Sequence, residues 1–186
     1  MAGLSAMAGR VWARGFEVTL RAAQPADLEA PGIEQALRDG IERGYAGELP
    51  DLAPDSECYA IEVDRALAGI LAFVRDAPLP SAVAVRAIVI APEHRGHAYA
   101  ARALLVAERR LSRDGLDDFY SRVPRGNGRG MYFMLRCGYA PVAPLADDGA
   151  TWFRRNLKLA GRPPVGLPVA SQQPRQPAAS GSSGGS

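Results

Sequence analysis

The chain has 186 residues, enough for one domain with a full hydrophobic core and short for two, so a single active or binding site is expected. Its hydrophobic fraction of 47% and charged fraction of 23% sit near the averages for soluble domains and exclude neither an enzyme nor a binding module. The net charge of +2 is that of Arg162 and Arg175 in an acid-free tail, which leaves the body balanced and argues against a nucleic-acid groove.

Residues 1–15 read as a flexible Ala/Gly-rich extension without a signal-peptide core, and no apolar run approaches the ~20 residues that cross a bilayer. Phe16-Glu17-Val18-Thr19-Leu20-Arg21 alternates as a first strand. A helix start at Gln24-Pro25-Ala26-Asp27 follows, with Leu28, Ile33, Leu37 and Ile41 near helical spacing and Pro31-Gly32 dividing the region into two short helices. Glu48 to Ser56, with Pro50 and Pro54, reads as a loop.

Glu57 to Val63 and Ala66 to Val74 alternate on either side of Asp64-Arg65, the pattern of a β-hairpin. Ala82 to Ile90 is apolar enough for a central strand. The next segment carries Ala100, Ala101, Leu104, Leu105, Ala107 and Leu111 on one face and arginines on the other, which is α-helical periodicity ended by Asp114-Gly115. Asp118 to Val123 is a further strand, Gly130 to Arg136 a short helix, and Tyr139 to Val142 and Trp152 to Leu159 the last strands. Residues 161–186 hold almost no large apolar side chain and are expected to be a disordered Pro/Gly/Ser-rich tail.

Chemistry concentrates where the central strand ends. Ala91-Pro92-Glu93-His94-Arg95-Gly96-His97-Ala98-Tyr99-Ala100-Ala101 joins it to the amphipathic helix through small residues and an arginine. The first-turn amides of a helix lack intrahelical acceptors, and the macrodipole adds about half a positive charge there, so a pyrophosphate fits. Small side chains let phosphate oxygens reach the backbone, and Arg95 adds a fork of donors.

Arg95-Gly96-His97-Ala98-Tyr99-Ala100 resembles the Q/R-x-x-G-x-G/A motif of the GNAT superfamily of acetyl-CoA-dependent N-acetyltransferases, with alanine at position 98 where that family usually has glycine. Ile88-Val89-Ile90-Ala91-Pro92-Glu93 is similar to the family's preceding strand, whose main chain pairs with pantetheine. Asn127, Gly130, Gly138 and Tyr139 fall at the spacing of its second motif, but Met134 stands where the family usually has a tyrosine that protonates the leaving thiolate. The resemblance covers roughly residues 16–160.

It implies an α/β fold of the α+β kind, a mixed, mostly antiparallel sheet of six to seven strands flanked by about four helices. It also implies acetyl-CoA as co-substrate and transfer of an acetyl group to a primary amine of a small molecule or peptide. The cofactor would lie against Ile88, Val89, Ile90, Arg95, Gly96, His97, Ala98, Tyr99, Ala100, Ala101 and Asn127. Glu57 and Glu62, on the hairpin that borders the family's acceptor site, are candidate bases, and Tyr99 and Tyr120 candidate acids. The rival reading is an acyl-CoA-binding regulatory or partner-binding module with little turnover, motivated by Met134 and Ala98.

Each of these residues also has an ordinary structural reading. Glu57 and Glu62 suit a solvated strand face, and Asn127 suits a helix N-cap. His94 and His97 suit solvated or phosphate-contacting turn positions, and Cys137 suits a small buried hydrophobe. Trp152-Phe153 suits core and Arg154-Arg155 a solvated pair. Cys58 and Cys137 lie too far apart in sequence, and without metal-like spacing, to suggest a disulfide framework or zinc site. A cytoplasmic monomer or homodimer is expected, with no metal, nucleic-acid or membrane partner.

Overall fold

The structure is a computed structural model that describes residues 10–44, 56–146 and 149–158. The proposed tail, most of the loop at 48–56 and the first nine residues lie outside the described residues. Within the described residues, thirteen elements form one eight-stranded sheet, four α-helices and a single 3-10 turn at Pro92–His94: β1 (Val11–Gly15), β2 (Val18–Ala22), α1 (Pro25–Leu28), α2 (Pro31–Glu42), β3 (Glu57–Val63), β4 (Ala66–Arg75), β5 (Ala82–Ile90), α3 (Tyr99–Arg113), β6 (Asp118–Pro124), α4 (Gly128–Arg136), β7 (Ala140–Val142) and β8 (Ala150–Asn156). The order is β1-β2-β3-β4-β5-β6-β8-β7. All neighbours are antiparallel except β5 and β6, which run parallel.

The eighth strand is the one the sequence did not announce. Val11–Gly15 was expected in a flexible extension, yet it pairs with β2, and Phe16-Glu17, expected in a strand, forms the positive-φ turn between them. The side chains explain this correction. Trp12 stacks near Tyr59 at 4.2 Å and Phe73 at 5.8 Å, the Phe16 ring lies 4.7 Å from the Arg109 guanidinium, and Glu17 pairs with Arg102, so α3 grips the hairpin.

The sheet is covered on both faces. On one, α3 and α4 bury Leu104, Val106, Leu111 and Met134 against Ile61, Leu71, Phe73, Val85, Phe119 and Phe153. On the other, α2 buries Ile33 and Leu37 against Ala60, Ile70 and Ala91. Fully burying a side chain such as Phe73 or Phe119 stabilises the fold by about 1.5–3 kcal/mol.

A buried polar cluster ties α3 to β8. The Tyr139 hydroxyl donates to Glu108 Oε1 at 2.8 Å, and Arg155 Nη1 donates both to Glu108 Oε2 at 2.7 Å and to the Cys137 carbonyl at 2.8 Å. Arg155 is therefore no solvated partner of Arg154, which instead forks onto Asp118 at 2.7 and 2.9 Å. Among the described residues no helix is long and apolar enough to cross a membrane.

Candidate active site

The site originates in a defect of sheet pairing. β5 and β6 match only from Ala82↔Asp118 to Val85↔Ser121, after which β5 continues to Ile90 and β6 to Pro124 without pairing. At the same place β5 carries an extra residue against β4, because Phe73 pairs with Val85 while Ala72 pairs with Ala87. Such a bulge bends a strand and raises its local twist, which opens the two parallel strands into a cleft.

Backbone alternation then decides which groups of β5 face that cleft. The Ala91 amide donates to the Ala68 carbonyl of β4 at 3.0 Å, so Ile90, one residue earlier, turns its polar groups to the open edge. Arg95 Nε accordingly donates to the Ile90 carbonyl at 3.1 Å. Ile88, two residues back, shares that edge. Close approach of β4 maintains the arrangement: a Cβ on Gly69 would clash with the Val89 carbonyl oxygen and fall 2.8 Å from Ile90 Cδ1.

The cleft opens into a cavity of about 500 Å³ that reaches both sheet faces. On the α3/α4 side its wall includes Ile88, Ile90, Arg95, Ala100, Asn127 and Met134; on the α2 side it includes Val89, Asp39 and Arg43. A second cavity, of about 430 Å³, surrounds the start of α3 with Gly96, Ala98, Tyr99, Ala101, His94 and Arg136. The two share Ile90, Arg95, Ala100 and Phe133 and are therefore adjacent.

At this junction the first helical bond runs from the Arg102 amide to the Ala98 carbonyl, so the amides of Tyr99, Ala100 and Ala101 precede the intrahelical ladder. Ala98 is the N-cap with φ 60° and ψ 16°, a left-handed conformation that disfavours any Cβ. Asn127 Oδ1 accepts the Gly130 amide at 2.8 Å as N-cap of α4, which leaves its amide NH₂ as the donor at the cavity wall.

Ten of the eleven residues expected around a cofactor thus line one or both cavities. His97 lines neither; it is exposed and stacks on Tyr99 at 5.4 Å. The expected bases and acids are placed differently. Glu57 and Glu62 do not line either cavity: Glu57 accepts from Arg75 and from the Tyr59 hydroxyl, and Glu62 accepts from Arg21 Nε at 2.7 Å. Tyr120 is buried away from both cavities, where burial first and the neighbouring Asp118 charge second push its hydroxyl pKa up. Tyr99 lines the second cavity beside the α3 terminus.

Met134 is buried and lines the main cavity, where Ser121 supplies the one hydroxyl among the lining residues described. Trp152 and Phe153 are core and line neither cavity. Burial pushes the Cys137 thiol up to about 11, consistent with a packing role. Sequence reasoning missed Asp39, the one carboxylate among the described lining residues of the main cavity, together with Arg43, Arg86, Arg122, Arg129 and Arg136. Asp39 on α2 and Arg43 at its C-cap lie one turn apart, off the Ile33 and Leu37 stripe, and no sequence pattern marked them.

Comparison with known proteins gives the family and the fold. Residues 20–139 match the model of the Acetyltransferase (GNAT) family, and the chain belongs to that family. The fold is shared with an acetyltransferase from Thermus thermophilus, at 19% identity and TM-score 0.58 over 76% of this chain and 98% of that one. It is shared also with the PaiA N-acetyltransferase from Thermoplasma acidophilum in complex with coenzyme A, at 16% identity and TM-score 0.58 over 76% and 99%. Spermidine N-acetyltransferase from Vibrio cholerae, in complex with CoA and spermine, aligns at 19% identity and TM-score 0.56 over 74% and 93%. No curated protein sequence matches the chain.

Proposed function

We propose that this protein transfers the acetyl group of acetyl-CoA to a primary amine by direct attack. The observation that carries the reading is the open edge of β5 lying immediately before the first turn of α3. Tyr99, Ala100 and Ala101 offer unsatisfied amides to the pyrophosphate, with Gly96 and Ala98 admitting its oxygens and Arg95 and Arg136 supplying charge. Ile88 and Ile90 offer main-chain groups to the pantetheine amides, and Asn127 a side-chain donor. Family membership and the coenzyme A complexes of fold relatives support this assignment.

The acceptor enters from the α2 side. Asp39 accepts one proton from the ammonium, because only the neutral amine is nucleophilic. The amine nitrogen then bonds to the thioester carbonyl carbon, polarised by a β5 amide, as the C–S bond breaks. The second amine proton leaves through water to the thiolate, with Ser121 as the nearby hydroxyl in place of the tyrosine that Met134 replaces. Positioning both substrates makes the step effectively unimolecular, which can remove about 7–11 kcal/mol of barrier in good geometry.

Calorimetric titration with acetyl-CoA, beside Arg95→Ala, tests the assignment. Saturable binding that weakens in the variant supports it; no binding by the wild type overturns it. A weakly catalytic acyl-CoA-binding module is the second reading, favoured by the absence of a tyrosine among the described residues lining the main cavity. Met134→Tyr separates the two: an increase in thiol release identifies an enzyme short of one acid, whereas acetyl-CoA binding without turnover in either form identifies the module.

A further inference from the structure

We infer that the acceptor is a small aminocarboxylate, such as a free amino acid, recognised through its carboxylate by Arg43 and Arg86 with Arg122 beside them. This rests on the acetyl-transfer reading and concerns the other half of the same cavity.

The arginines of the main cavity divide between the two sheet faces. Arg95 and Arg129 belong to the α3/α4 side, where the cofactor phosphates are assigned. Arg43 sits at the end of α2. Val83 and Val85 before the β5 bulge, and Ile88 and Ile90 after it, pack on the α3 side, so Arg86 and Ala87 both fall on the α2 side. Phe119 and Val123 of β6 also pack toward α3, which places Arg122, between Ser121 and Val123, toward α2. Arg43, Arg86 and Arg122 therefore line the acceptor half on the α2 side, where Asp39 is the one carboxylate among the described lining residues.

Pairing distinguishes Arg43 and Arg86 from four arginines of the sheet. Arg21, Arg75, Arg154 and Arg155 each contact a carboxylate of the fold. Arg43 and Arg86 have no ion-pair partner among the described residues, although both line the cavity and both are exposed. Unpaired guanidiniums beside one carboxylate complement a zwitterion: the substrate carboxylate meets the arginine forks, and its ammonium meets Asp39, which aligns it for deprotonation. A polyamine presents only cations to the same wall and is repelled.

Acetyl-CoA titration and a thiol-release assay over the common amino acids, their decarboxylated amines and spermidine test the inference. The best amino acid is expected to exceed its decarboxylated amine by about tenfold or more in kcat/KM, the effect of one charge-assisted hydrogen bond. In Arg86→Gln and, independently, Arg43→Gln, that ratio should shrink toward one through a raised KM for the amino acid, while acetyl-CoA affinity stays within about twofold. Preference for spermidine or the decarboxylated amines overturns the inference and leaves acetyl transfer intact, as does a ratio indifferent to both substitutions. With acetyl-CoA bound, turnover of none of these acceptors overturns the acceptor assignment alone. Failure to bind acetyl-CoA overturns both readings.

Discussion

Ala98→Gly is expected to stabilise the protein, although it removes a methyl group and places glycine at a helix N-cap. Ala98 has φ 60°, where the left-handed conformation costs an L-residue about 1–2 kcal/mol. Glycine escapes that cost but brings a more flexible unfolded chain, which returns about 0.4–1 kcal/mol. The net expectation is a gain of about 0.5–1 kcal/mol, or roughly 1–4 °C in Tm for a domain of this size. Urea denaturation followed by the fluorescence of Trp12 and Trp152 measures the difference directly. If the loop holds a pyrophosphate, acetyl-CoA affinity should hold or improve in the variant, since the amides of Tyr99 to Ala101 stay in place. Equal or lower stability with an unchanged denaturant slope would show that Ala98 is not strained and would remove this account of the loop.

Other substitutions probe the rest of the framework. Burial pushes the Glu108 carboxyl up to about 6 from its ordinary 4.5, against the opposing charge of Arg155 and the hydrogen bond from Tyr139. The folded state therefore holds this proton more tightly than the unfolded chain, and about 2 kcal/mol of stability is lost from this group as pH rises from 4.5 through 6. Glu108→Gln should flatten that part of the stability curve measured by denaturation at pH 4.5, 5.5 and 6.5. Asp27 acts in the opposite direction. Burial alone would raise its pKa, but the Arg21 fork at 2.7 Å and the Gln24 amide hold it below the usual carboxylate value, so its contribution is lost as pH falls. Subtracting the Glu108→Gln curve from the wild type therefore isolates the Glu108 component. Gly69→Ala should cost about 1–3 kcal/mol by forcing β4 and β5 apart at Val89 and Ile90, and should weaken acetyl-CoA binding in the same titration because β5 is the cleft edge.

Period and punctuation in the sequence determined most of the local structure. The hairpin across Asp64-Arg65, the central strand ending at Ile90, the helix after Ala98 and the divided helix at Pro31-Gly32 are all present as their patterns require. The small-residue turn after Arg95 was legible for the same reason: a helix start and its chemistry lie within a few consecutive residues. Tertiary structure decided what depends on partners distant in the chain. Val11–Gly15 is a strand because Trp12 meets Tyr59 and Phe73 and the following turn meets α3. Glu57 and Glu62 fit a strand pattern as candidate bases, but Arg75 and Arg21 engage them away from the cavities. Asp39 and Arg86 carried no local signal of chemistry. They line one cavity because β5 bulges and parts from β6, and that parting depends on how three strands pair rather than on any neighbouring pair of residues.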